Sequence, residues 1–180
     1  MMGNYLGEQK MKDFEEVFGP SYHEARAGGS IRDATPDSDA PLKEIPIFVT
    51  QQLIDLSVPG DAKTCVLAAG CGRSGIRALV WATVAHVRFP NSKTIWRYEV
   101  GLKEQRLIKR FDPGDWSPAI GELFKLRSVS PANTLEAMKL STKQREARIR
   151  NGEIKIDPNR SALSKQSAVT RQVNQSIGVR

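Results

Sequence analysis

"TCVLAAGCGRSGIRALVW", residues 64–81, is the stretch on which the reading of this chain turns. An apolar run meets Gly70, Gly72 and Gly75 at G-x-G-x-x-G spacing, and a second apolar segment follows. Residues 64–69 read as a buried strand and the glycines as its turn. Apolar residues at 76, 79, 80, 84 and 87, with Ala78, Ala82 and Ala85 between them, predict a helix over 74–87 that is buried on nearly all sides. A strand–turn–helix unit of this kind has two physical uses. Glycine lets the chain turn a tight corner. Glycine also lets backbone N–H groups and a helix N-terminus approach an anionic ligand. The tight corner is the first reading here.

The ligand reading has one supporting residue. In dinucleotide sites an acid about 20 residues after the glycines holds a ribose hydroxyl, and Glu99 stands 24 after Gly75 in the next expected strand. Gly70, Gly72, Gly75 and Glu99 are therefore the cofactor-binding candidates. The loop resembles motif I of S-adenosylmethionine-dependent methyltransferases. That family usually carries an acid just before the turn, where this chain has Ala68 and Ala69. The resemblance implies a doubly wound sheet, for which too few residues remain after Glu99. "AAGCGRSG" (68–75) also resembles the phosphate loop of protein tyrosine phosphatases. The nucleophilic cysteine of that family would fall at Leu67, and without a thiolate there is no covalent step.

Outward from the loop, "KTIWRYEV" (93–100) alternates as a strand, with Trp96, Tyr98 and Val100 on one face and Ile95, Arg97 and Glu99 on the other. A second strand is expected at 104–111 and a short helix at 119–127. Residues 45–58 read as apolar, with Pro46 marking a strand start or an edge. Ser130-Pro131 opens a helix that runs to Arg150 before Asn151-Gly152. Met11, Phe14, Val17 and Phe18 share one face of an N-terminal helix closed by Gly19-Pro20. So short an arm must dock on its own body or on a neighbour, which makes Phe14, Val17 and Phe18 candidates for self-association. The expected fold class is α+β: a short sheet on a buried central helix, with extended arms at both ends. The expected divisions are an arm and polar linker over 1–44, a globular core over 45–150 and a basic tail over 151–180. "VRFPNSKTIWRY" (87–98) is similar to a short segment of tobamovirus coat proteins, a likeness that carries no residue roles.

The net charge is +7 and its placement is uneven. Residues 139–180 hold ten bases against three acids, so the first 138 residues are neutral and the tail holds the whole surplus. A basic tail on a neutral body is the electrostatic footprint of a polyanion partner. Arg97, Lys103, Arg106, Lys109 and Arg110 crowd one segment beside Trp96 and Tyr98, and Lys143, Arg145, Arg148 and Arg150 begin the tail. These nine are the nucleic-acid-binding candidates, with RNA ahead of DNA and an anionic membrane surface as the other partner class.

Catalytic and metal chemistry find little here. His23 and His86 lie apart, and a zinc site needs about four ligands. Asp112 and Asp115 in "FDPGDW" read as turn residues. Two cysteines, Cys65 and Cys71, make no disulfide framework and suit a reducing compartment. No run approaches about 18 apolar residues, and the N-terminus lacks the order of a signal peptide. The expectation is an intracellular protein, cytoplasmic or within an assembled particle, without a cofactor. Its expected role is non-enzymatic: a structural component such as a viral coat, matrix or other virion protein that forms homo-oligomers and contacts nucleic acid. The alternative is a small methyltransferase-like or other nucleotide-binding enzyme. An RNA-binding adaptor is a third reading.

Overall fold

The computed structural model describes residues 5–111 and 119–151. In order they form α1 (Tyr5–Phe18), α2 (Tyr22–Ala27), β1 (Ile31–Asp33), β2 (Ile45–Phe48), α3 (Gln51–Asp55), α4 (Val66–Arg73), β3 (Arg77–Val80), β4 (Val84–Arg88), β5 (Ile95–Val100), α5 (Leu102–Phe111) and β6 (Leu123–Arg127). A 3₁₀ turn (Pro131–Asn133) and α6 (Leu135–Arg150) follow. The fold class is α+β. One compact unit covers Met1–Leu135, and Glu136–Arg180 forms another.

The sheet runs β2-β6-β5-β4-β3 with antiparallel neighbours, and β1 adds to β5 in parallel. Strand β5 is the organising element. Its residues 96–99 pair with β4 along one edge. The other edge is shared, with Ile95–Arg97 taken by β1 and Glu99–Val100 by β6. Alternation sends Trp96, Tyr98 and Val100 to one face, where they join Val66, Leu67, Ala68 and Cys71 of α4 in the larger core. Ile95 goes to the other face, where it meets Phe14, Phe18, Ala25, Ile31 and Leu79. Pro46 lies in β2, the end strand of the sheet, where its missing N–H costs least.

The decisive stretch folds in the reverse order to its sequence reading. Residues 66–73 are a helix, not a strand, and 77–88 are a β-hairpin, not a helix. Two physical facts explain the inversion. The hairpin is covered on both faces: Ala78, Val80, Ala85 and Val87 enter the larger core, while Leu79 and His86 face α1. A strand pair buried on both sides loses its apolar–polar alternation, and its apolar positions then fall by chance on a helical stripe. Two of the three glycines also have a task other than a ligand turn. At Gly70 a Cβ would stand 2.4 Å from Ile47 Cγ2, so glycine lets α4 lie against β2. Gly72 meets nothing. Gly75 has φ +70°, its N–H bonds to Gly72 O, and the N–H of Ile76 bonds to Cys71 O. That is a Schellman ending, with Gly75 in the left-handed position.

Three further segments differ from expectation. Residues 104–111 belong to helix α5 rather than a strand, and residues 123–127 form strand β6 rather than a helix. The 21–44 segment, expected as a linker, is folded. Ser21 and Glu24 form a reciprocal capping box that starts α2. Beyond β1, Ala34 and Ala40 are buried, and the Tyr98 hydroxyl donates to Leu42 O at 2.6 Å. Burial, reinforced by Cys71, raises the Tyr98 phenol well above its ordinary range. Cys65 and Cys71 are both buried and outside any disulfide, and burial with the neighbouring Cys65 pushes the Cys71 thiol up to about 12.

The N-terminal helix docks on this chain's own sheet. Phe14 and Phe18 are fully covered there, which corrects their assignment to self-association, and Val17 packs partly buried beside them. His86 sits in the same cluster. Its ring lies edge-on to Phe14, Tyr22 and Trp81 at centroid distances of 5.4, 5.8 and 5.0 Å, and neither ring nitrogen has a hydrogen-bond partner. Burial, then the charge of Arg97, lowers its pKa to about 3.

Two stability predictions follow from this packing. Gly70→Ala forces Ile47 aside and lowers stability by about 1–3 kcal/mol. Gly72→Ala, in the unobstructed last turn of α4, raises it by about 0.5 kcal/mol. Urea unfolding of the two variants checks both signs, and a loss at Gly72 contradicts the helix. The His86 prediction concerns pH. The unfolded imidazole titrates near ~6.5, so between that pH and about 3 the unfolded chain binds one proton more than the native chain. Stability from the neutral His86 is full above ~6.5 and falls by about 1.4 kcal/mol per pH unit on acidification through this window. Unfolding curves at pH 6, 5 and 4 should therefore be steeper in pH for the parent than for His86→Phe by that one-proton slope. Equal slopes would contradict a buried neutral imidazole.

Candidate nucleic-acid interface

The basic candidates divide into three groups. Arg97 is on β5, where the parallel register sets it directly opposite Asp33. Its Nε donates to Asp33 Oδ1 at 2.5 Å, and a terminal nitrogen donates to Asn133 O. The pair is about nine-tenths buried. Arg97 is thus committed inside the fold, which corrects its assignment to a nucleic-acid surface. Trp96 and Tyr98 are also buried and offer no face for base stacking.

The second group lies on α5. Its first turn carries Glu104, fully buried, whose Oε1 accepts the N–H of Lys125 at 3.0 Å. That bond satisfies a β6 donor beyond the short β5–β6 ladder and fixes the rotation of the helix. Lys103, Arg106 and Arg110, at i, i+3 and i+7, consequently share the face that lines a cleft of about 220 Å³ with Ala119, Glu122 and Phe124. Lys103 is held from three directions. Its Nζ lies 2.9 Å from Glu122 Oε2, 3.0 Å from Leu123 O and 4.5 Å from the centroid of Phe124. Arg106 and Arg110 are exposed and have no acidic partner among the described residues. Lys109 is exposed outside the cleft. The cleft therefore has one positioned cation over an aromatic wall and two guanidinium groups without an acidic partner among the described residues, a set suited to phosphate oxygens.

The third group is on α6. Lys143, Arg145, Arg148 and Arg150 are all exposed. At about 3.6 residues per turn, Lys143 and Arg150 fall on one side of the helix and Arg145 and Arg148 on the other. The bases beyond 151, together with Asp112 and Asp115, lie outside the described residues.

The cofactor candidates are not brought together. Gly70 packs on the face of the sheet that carries Tyr98, whereas Glu99 projects from the opposite face. Glu99 Oε1 accepts from Ser130 N at 3.1 Å, Ser130 Oγ at 3.0 Å and Asn133 Nδ2 at 2.7 Å. Burial opposes its charge, but the bonds from Asn133 and Ser130, backed by Arg97, hold the carboxyl below its ordinary range. The acid read as a ribose ligand is a structural anchor for the 130–133 turn. The strand–turn–helix backbone on which the methyltransferase resemblance rests is absent, because the glycines lie in and at the end of α4. Among the described residues no group of three His, Cys, Asp or Glu side chains is placed to hold a metal ion, and no helix is long and apolar enough to cross a membrane.

Sequence reasoning missed Asp33 and Glu104. The parallel β1–β5 register that pairs Asp33 has no local signature, since its partner is 64 residues away. The Ser21-x-x-Glu24 box was a readable sign that residues 21–44 are folded. Comparison of the chain with family models, curated proteins and solved structures gave no match.

Proposed function

We propose that this protein is a non-enzymatic assembly component that binds a polyanion, RNA ahead of DNA, through the α5 cleft and the basic helix α6. The observation that carries the proposal is the convergence of Lys103, Arg106 and Arg110 on one cleft, where Arg106 and Arg110 have no acidic partner among the described residues. Phosphate oxygens supply the missing negative charge, and the released counterions drive binding. The chemistry of the other polar groups supports a non-catalytic role. His86 is buried and neutral, the Cys71 thiol is held protonated, and His23 stands exposed on α2. A virion component such as a coat or matrix protein suits these properties.

Self-association moves from α1 to the β2–β6 end of the sheet. Phe48 and Leu123 are register partners there, 56% and 46% exposed, and Ile120 nearby is 47% exposed. An apolar cross-strand pair open to water next to an end strand is a surface that a second copy can cover.

Two measurements test the proposal. Fluorescence anisotropy with a single-stranded RNA oligonucleotide should show affinity that falls with salt. Arg106→Gln with Arg110→Gln should weaken it at least tenfold and make the log–log salt slope shallower by about 1.4, which is ~0.7 for each lost phosphate contact on a single strand. Light scattering should show oligomers that Phe48→Ser disperses. A strict monomer indifferent to RNA at low salt would sink the proposal.

A further inference from the structure

We infer that Arg77 and Arg88, together with the 89–92 turn, form a binding site for a phosphate dianion, free or as a terminal monoester. This site is separate from the α5 cleft and rests on different observations.

Arg77 and Arg88 are direct cross-strand partners in the β3–β4 hairpin. Side chains so placed are close neighbours, and like charges directly opposite each other destabilise the pair. No ion pair among the described residues reaches either arginine. The two line a cavity of about 360 Å³ with Gly75, Asn91 and Ser92. Arg88 is already positioned for a ligand. One terminal nitrogen donates to Phe18 O at 2.7 Å, and its guanidinium carbon lies 5.7 Å from the Phe18 ring centroid. That bond satisfies a carbonyl at the end of α1, a helix with no base in its own last turn. The remaining Arg88 donors are left for the cavity. Arg77 is exposed. The turn is closed by Ser92 N donating to Phe89 O, and Asn91 has φ +61°, an uncommon conformation outside glycine. The Asn91 side chain makes no hydrogen bond among the described residues. Burial, then Arg77, holds the Arg88 guanidinium below its ordinary basicity.

Two guanidinium groups call for a dianion, and a phosphate monoester carries about −1.5 to −2 near neutral pH, against −1 for a backbone diester. Guanidinium forks match phosphate oxygens in pairs. The cavity is wider than a phosphate alone needs, so a carrier group fits beside it.

The test is thermal unfolding of the full chain in inorganic phosphate against chloride at equal ionic strength, with a nucleoside 5′-monophosphate and its parent nucleoside as further arms. The melting temperature should rise by about 4 °C at a phosphate concentration roughly tenfold above Kd. Arg77→Gln should remove that rise, and without phosphate it should melt no lower than the parent, because it relieves the repulsion. A monophosphate that matches phosphate identifies the free anion as sufficient, and a larger rise shows that the carrier is also bound. The nucleoside alone should do nothing. Arg88 is left unaltered because it also holds α1. Arg110→Gln should keep the full response. No response in the parent, or an unchanged response in Arg77→Gln, overturns the inference. A response lost in Arg110→Gln also overturns it, by assigning the phosphate to the α5 cleft and leaving the proposed function standing.

Discussion

The ion pair between Arg97 and Asp33 sits where the fold has least freedom. Strand β5 is buried on both faces, yet one face carries two charged side chains, Arg97 and Glu99. A buried charge without partners costs several kcal/mol, so the chain must bring partners to both. It does so with one set of residues. Asp33 arrives on β1, and Asn133 and Ser130 arrive on the turn after β6. Asn133 serves both charges, accepting from Arg97 through its carbonyl and donating to Glu99 through its amide. The second carboxylate oxygen of Asp33 takes the N–H of Leu135 at 2.6 Å, at the start of α6. Parallel addition of β1, closure of the 130–133 turn and the starting point of the last helix are therefore parts of one electrostatic solution.

The same network sets how the opposite face is built. With charges confined to the α1 side of β5, Trp96, Tyr98 and Val100 are left to an apolar core with α4. That core is dense enough that one methyl group at position 70 would collide with Ile47. The α1 side is less uniform. It mixes Phe14 and Phe18 with a neutral histidine, the ion pair and the arginine that caps α1. Acid reaches that side through His86, while the α4 side is sensitive to volume.

The mixed class and the elements whose pattern is local were legible in the sequence: α1 from its one-sided apolar face, β5 from strict alternation, and the end of α6 from Asn151-Gly152, whereas Ser130-Pro131, read as the helix start, opens the 3₁₀ turn and α6 begins at Leu135. The inner hairpin was not. Periodicity reports solvent contrast, and β3 and β4 have almost none. The glycine spacing misled for a related reason. Two unrelated local needs, close helix–sheet contact at Gly70 and a left-handed helix ending at Gly75, together with Gly72, which meets nothing, fell by coincidence on the spacing of a ligand loop. At the candidate site, charge was legible at Arg106 and Arg110, which are exposed and have no acidic partner among the described residues. It was not legible at Arg97, because sequence distance hides Asp33. Lys103 shows the intermediate case, a surface cation whose geometry is fixed by an acid and an aromatic ring that arrive on β6 and the turn before it.

The glycine stretch nonetheless ends beside an anion-binding geometry, by a different physical route. In a ligand loop the glycines let backbone N–H groups face the anion. Here Gly75 ends α4 in the left-handed conformation, turns the chain into β3 and so places Arg77 opposite Arg88. The donors are then side chains on a sheet edge, and their positive charge is formal rather than the partial charge of a helix end. Such a site is set by strand register. A slip of one residue between β3 and β4 would turn Arg77 to the other face, and Leu79 opposite His86 in the aromatic cluster holds that register. The packing that keeps His86 neutral thus also fixes the spacing of the two arginines. That makes the buried cluster under α1 a determinant of the surface charge above it.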